Sequence, residues 1–206
     1  MNTPVASRHS GQNSTRKLVV TAMLVALVLI LVFSGLGFIP FLVFAITLYH
    51  IPVIIAAQAE GWTTGLIVAF MFGATSLYKA LTAPAGLYDP LFVNPLVSIL
   101  PRLLIVPATL LGLRLLRGRG KLAYAVSALL GTLANTIFTL SAISIALLVS
   151  PGTVGLTAGP AVKLAIGAIW GGSMVNAALE CVLAIAVCTG VMTALEKTFY
   201  RDRRAQ

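Results

Sequence analysis

Ser173, Asn176 and Glu180 recur at i, i+3 and i+7, a spacing that places all three on one face of a helix. Thr132, Asn135 and Thr139 repeat that spacing earlier in the chain, with Thr136 beside Asn135. Each stripe lies in an otherwise hydrophobic run, so each must find polar company. A wet cavity between the two helices would satisfy both amides. A direct interhelical hydrogen bond that glues a bundle, worth about 1 kcal/mol, is the alternative. Glu180 is the one acid deep in such a run; an isolated carboxylate there must be neutral or paired, which makes it a ligand-binding group or a structural lock. Lys79, Arg102 and Lys163 are candidate anion ligands. A lysine near a helix end can also snorkel to the interface, and Arg102 can brace the segment Pro95–Pro101. His50, beside Tyr49, and Trp170 are weaker candidates, because an interfacial Trp is common in membrane proteins.

The elements that carry these residues are set by composition. Of 206 residues, 59% are hydrophobic and 9% charged, and the mean hydropathy is +1.01. A water-soluble domain could not keep that balance off its surface. No Asp, Glu, Lys or Arg stands between Lys17 and Glu60, nor between Lys121 and Lys163, and each tract exceeds twice the about 20 residues one span needs. The runs are long and do not alternate at period two, and unpaired backbone is costly in hydrocarbon, so helices are expected rather than a barrel. The fold class is all-α integral membrane.

Six transmembrane helices are predicted, at 18–36, 41–59, 62–81, 95–114, 121–149 and 161–196. Ser34–Gly37 and Pro40 break the first tract, and Glu60-Gly61 closes a tight hairpin. Pro52 either kinks the second span or sets its start. The stretch from Leu81 to Pro95, with Pro84, Gly86, Asp89, Pro90 and Asn94, is a structured loop. Residues 1–17 are expected to form a cytoplasmic tail, 18–196 a six-helix domain and 197–206 a basic cytoplasmic tail. With the N-terminus inside, every Lys and Arg except Lys79, Arg102 and Lys163 falls on the inner side. The positive-inside rule therefore puts both termini in the cytoplasm.

That distribution also reads the excess of 14 Lys and Arg over 5 acids as a topology signal, not a nucleic-acid surface. Cys181 and Cys188 lie inside a span and are expected to pack as small apolar groups, with no disulfide, metal or cofactor. No GxxxxGK[ST] nucleotide loop and no HExxH pair occurs, and His9 and His50 offer little for a serine–histidine hydrolase. The chain is not expected to be an enzyme, and ATP-driven work would need partners. Ala22 with Ala26, and Gly167 with Gly171, are spaced for close helix approach.

Several segments together resemble the substrate-specific S components of energy-coupling-factor (ECF) transporters, in the pantothenate- and folate-type subgroup. His50-Ile51-Pro52-Val53-Ile54-Ile55, then Gly65 and Phe72-Gly73-Ala74-Thr75-Ser76-Leu77, resemble that family's second and third helices. Pro95-Leu96-Val97-Ser98-Ile99-Leu100-Pro101-Arg102 is similar to its entry to helix four. Gly131-Thr132-Leu133-Ala134-Asn135-Thr136 resembles its Asn-Thr signature, and Asn176-Ala177-Ala178-Leu179-Glu180 its Asn-to-Glu stretch. The likeness covers about residues 20–196. It departs at Ala57-Gln58-Ala59-Glu60-Gly61-Trp62, where relatives more often carry a Gly-Pro turn.

The resemblance implies a multi-pass protein of the prokaryotic plasma membrane that captures a small water-soluble vitamin, pantothenate being the first candidate. Its pocket would be capped by the loops after helices one, three and five. It also implies partners: a membrane coupling protein, met by Ala22 and Ala26, and two ABC ATPases. In this reading Asn135, Asn176 and Glu180 bind the vitamin, with Thr132, Thr139 and Ser173 beside them. Lys79 or Arg102 pairs with its acidic group. Two other classes compete: a self-sufficient proton-coupled transporter working through Glu180, and an intramembrane enzyme.

Overall fold

The computed structural model describes residues 8–41, 44–84, 87–156 and 159–204. Residues 1–7 and 205–206 of the expected tails, and Gly86 of the expected loop, lie outside them. The chain runs α1 (Arg8–Ser34), a hairpin of β1 (Phe38–Phe41) and β2 (Phe44–Thr47), α2 (Ile51–Glu60) and α3 (Trp62–Thr82). A 3-10 turn (Asp89–Val93) then leads to α4 (Pro95–Ser98), α5 (Leu100–Leu115) and α6 (Lys121–Val149). A second 3-10 turn (Pro151–Val154) precedes α7 (Pro160–Arg204). This is an all-α membrane protein with one small hairpin.

Among the described residues, five segments are long and apolar enough to cross a bilayer: Ser14–Ser34, Trp62–Thr82, Pro95–Leu115, Lys121–Val149 and Pro160–Thr198. The second expected span, 41–59, is instead the second hairpin strand followed by the ten-residue α2. The difference has a local cause. Pro52 sits in the first turn of α2, where its missing N–H is harmless, and so sets the start of the helix rather than kinking it. Upstream, Gly35 at φ +74 ends α1, and a phenylalanine- and isoleucine-rich segment pairs in register from Phe38↔Thr47 to Phe41↔Phe44. Such backbone is tolerated at membrane depth where protein or a cavity covers it.

The short α2 is the centre of the bundle. Every residue from Ile51 to Gln58 is buried, and α2 packs against α1, α3, α5, α6 and α7. A helix apolar all round belongs inside, which is how ten residues serve where neighbours need twenty or more. The main core gathers Val28 and Val32, Val53 and Ile54, Val68 and Phe72, Ile105 and Val106, and Ala184 and Cys188. Gly73 admits the chain ahead of α5: a Cβ there would stand 2.8 Å from Ile99 Cα. At the cavity-distal end Gln58 Nε2 donates to Ser127 Oγ (2.7 Å) and Tyr124 O (3.1 Å), and Arg16 pairs with Glu60 at 3.3 Å. These contacts surround the Glu60–Trp62 turn, which Gly61 makes at φ +83.

Both helical ends overrun expectation. α1 begins at Arg8, inside the expected tail, and α7 continues to Arg204. Between Lys17 and Arg8, and from Ala194 onward, there is no proline, so nothing interrupts helical hydrogen bonding where the hydrophobic pattern stops.

Candidate functional site

A cavity of about 720 Å³ opens at the end of the bundle where α1 and α3 finish and α7 begins. The Lys and Arg residues of the α5–α6 turn, Arg117, Arg119 and Lys121, mark the other end. Of the candidate residues, Lys79, Arg102, Asn135, Thr139, Ser173, Asn176 and Glu180 all line the cavity, as does Thr136. The helical repeat explains the convergence: α6 and α7 pack together, and their polar stripes face the same void.

Asn135 Oδ1 and Asn176 Oδ1 are buried and accept no hydrogen bond from the protein. They are therefore not glued to each other or to a neighbouring helix through these oxygens. Two buried acceptors without a partner, on residues that line a cavity, are costly to leave so.

Arg102 is 7% exposed and rigidly clamped. Its guanidinium carbon lies 5.3 Å from the Phe72 ring centre and 5.1 Å from that of Phe92, a cation–π sandwich. One terminal nitrogen donates to Val97 O and to Thr139 Oγ1, both at 3.1 Å. Arg102 thus braces the Pro95–Pro101 segment, and its Nε remains without a partner. A planar donor edge held this way suits a carboxylate.

Glu180 lines the cavity, but its carboxylate is engaged. Oε1 accepts from the Thr47 backbone N–H at 2.7 Å and from the Thr47 hydroxyl at 2.5 Å. It ties α7 to the end of the hairpin.

Four candidates lie elsewhere. His50 and Thr132 are both fully buried below the cavity and bond each other, Nε2 to Oγ1 at 3.2 Å. They bond each other where α2 meets α6, although His50 Nδ1 is left without a partner, and neither lines the void. Trp170 Nε1 donates to Ser144 Oγ at 3.1 Å, joining α7 to α6 outside the lining. Lys163 is exposed at the start of α7 and does not line the cavity either.

The lining also holds Tyr49, the neighbour of His50, and four residues not chosen as ligands from the sequence: Phe72 and Ser76 of the motif ahead of the α3–α4 loop, Asp89 and Phe92. Gly37 makes room for Tyr49, because a Cβ on it would fall 2.2 Å from the Tyr49 ring. The aromatic residues look like ordinary core in a hydrophobic sequence. Asp89 had a usable signal, being the one acid in the loop between α3 and α4.

The family model for the ECF transporter substrate-specific component matches residues 16–192. The chain belongs to the ECF S-component family. The match spans every element that lines the cavity, and no curated protein sequence matches significantly. S components are membrane-embedded, substrate-binding subunits of transporters, not enzymes, and the family implies an ECF module with a coupling protein and ATPases.

Proposed function

We propose that this S component captures a small, water-soluble, acidic vitamin or precursor from outside a prokaryotic cell for ATP-driven import, with pantothenate as the first candidate. One observation carries the reading: a single cavity is lined by Arg102, Asn135 and Asn176, whose Nε and two Oδ1 atoms have no partner within the protein. The complementary molecule has a carboxylate at one end and hydroxyl or amide donors at the other. Pantothenate has both. Lys79, at the α3 end of the cavity, adds positive charge for an incoming anion, and Ser173 and Thr139 add hydroxyls.

Charge supports the orientation. The cavity lies opposite the end that carries Arg114, Arg117, Arg119 and Lys121, so a cytoplasmic basic end leaves the cavity facing outward. α1 leaves Ala22 and Ala26 exposed, a surface suited to close approach by the coupling protein, and the two ATPases complete the importer.

Native mass spectrometry of the purified chain tests the assignment. The parent chain should carry a vitamin-sized ligand, and Asn135→Ala and Asn176→Ala should each lose it. Undiminished retention in both variants would refute the site.

A further inference from the structure

A second groove, also about 720 Å³, runs between the first turns of α6 and the C-terminal half of α7, at the end of the bundle away from the cavity. From Ile185 to Lys197 the α7 wall extends about 18 Å. Its chemistry is graded along that length. Lys121 and Lys197 stand at one end, Thr193 and Thr189 follow, and Ala186 and Ile185 finish it.

We propose that this groove binds one anionic phospholipid. The lysines meet the phosphate, the threonines meet the glycerol esters, and an acyl chain lies along the alanine- and isoleucine-lined remainder. Charge complementarity favours this occupant. Both lysines are exposed, and Arg117 and Arg119 stand just before Lys121 at the same end. The nearby Glu196 is already held by the Tyr124 hydroxyl. The order cation, hydroxyl, hydrocarbon also matches a lipid lying against a membrane helix with its head at the interface.

Thr189 supplies an independent observation. Its Oγ1 is buried and has no partner, unlike Thr193, whose hydroxyl donates to Thr189 O at 2.7 Å. A lone hydroxyl in hydrocarbon is unfavourable, and turning the side chain toward the groove would let an ester carbonyl satisfy it. The floor is also open: a Cβ on Gly190 would meet no atom within 4 Å. The space beside α7 at Gly190 is thus unfilled by the protein.

The test uses the full chain, delipidated in detergent and titrated with phosphatidylglycerol or with phosphatidylcholine of the same acyl composition, read by native mass spectrometry. The parent chain should bind one phosphatidylglycerol in preference, and inorganic phosphate should not displace it. Lys121→Gln combined with Lys197→Gln should weaken phosphatidylglycerol roughly tenfold or more and abolish the preference. Gly190→Leu fills the floor while keeping both lysines, and its better helix propensity protects the fold. It should lose the bound lipid and the lipid-induced rise in melting temperature. Equal binding of the two lipids by the parent chain, or parent-like phosphatidylglycerol binding by both variants, overturns the proposal. So does displacement by inorganic phosphate, which marks a simple anion site. Variants that bind lipid normally but fail to assemble with the coupling protein would overturn it in favour of a protein-docking groove.

Discussion

Glu180 on α7 and Thr47 at the end of β2 are joined by two hydrogen bonds to one carboxylate oxygen, 2.7 Å from the backbone N–H and 2.5 Å from the hydroxyl. One oxygen of a carboxylate that lines the cavity thus holds the segment bordering it. Hydrogen bonds to a charged group contribute about 1.5–3 kcal/mol. Glu180→Gln should therefore loosen the hairpin and speed ligand dissociation about tenfold or more while changing association less. Thr47→Val should behave alike, and the double variant should be no worse than either alone. Stopped-flow dissociation of the retained vitamin measures this, and additive effects would show that Glu180 contacts the ligand independently of Thr47.

Arg102 makes a different demand, because its aromatic clamp suits a planar guanidinium and not an ammonium. Arg102→Lys keeps the charge but forfeits the sandwich and the second donor edge. Affinity for an acidic vitamin should fall about tenfold to hundredfold by isothermal titration calorimetry. Affinity for the same molecule with its carboxylate amidated should change little in the variant. Equal losses for both ligands would mean that Arg102 only braces Val97 and Thr139.

His50 and Thr132 provide the contrasting case. Their bond lies under the cavity, so His50→Ala should destabilise the protein by about 1–3 kcal/mol through the abandoned Thr132 hydroxyl and the lost packing. Ligand affinity of the folded fraction should remain within about threefold, a change of under 1 kcal/mol. Melting in detergent with and without ligand separates the two quantities.

Gly37 tests the shape of the cavity rather than its chemistry. Gly37→Ala places a methyl group 2.2 Å from the Tyr49 ring, well inside contact distance, so Tyr49 must turn away. Ligand affinity should drop by about tenfold with modest loss of stability, as expected for an overpacked but surface-near site. A crystal or cryo-electron structure of the variant with Tyr49 unmoved would contradict the account.

How far the sequence reached depended on the kind of signal. Helical period carried Asn135, Thr139, Ser173 and Asn176 to one cavity, because a 3.6-residue repeat projects onto a face whatever surrounds it. Lys121–Val149 was legible end to end, bounded by glycine on one side and Ser150-Pro151 on the other. The second span was not. An apolar run such as Phe38–Thr47 has no period that separates a covered hairpin from a helix, and the deciding contact, Thr47 with Glu180, comes from 133 residues away. The aromatic clamp around Arg102 was hidden for the same reason: Phe72 and Phe92 meet it only after α3, the 3-10 turn and α5 have packed.

The energy source provides the final prediction. No phosphate-cradling nucleotide loop exists in the chain, so ATP can act on it only through partners. A proton-driven carrier would need Glu180 free to exchange protons with the cavity, whereas Thr47 donates twice to its carboxylate. Proteoliposomes holding the chain alone should bind vitamin without concentrating it. Adding the coupling protein and ATPases with internal ATP should produce uptake that withstands an uncoupler. Accumulation by the chain alone, abolished by the uncoupler, would instead assign transport to a proton gradient and require the Thr47–Glu180 contact to open in each cycle.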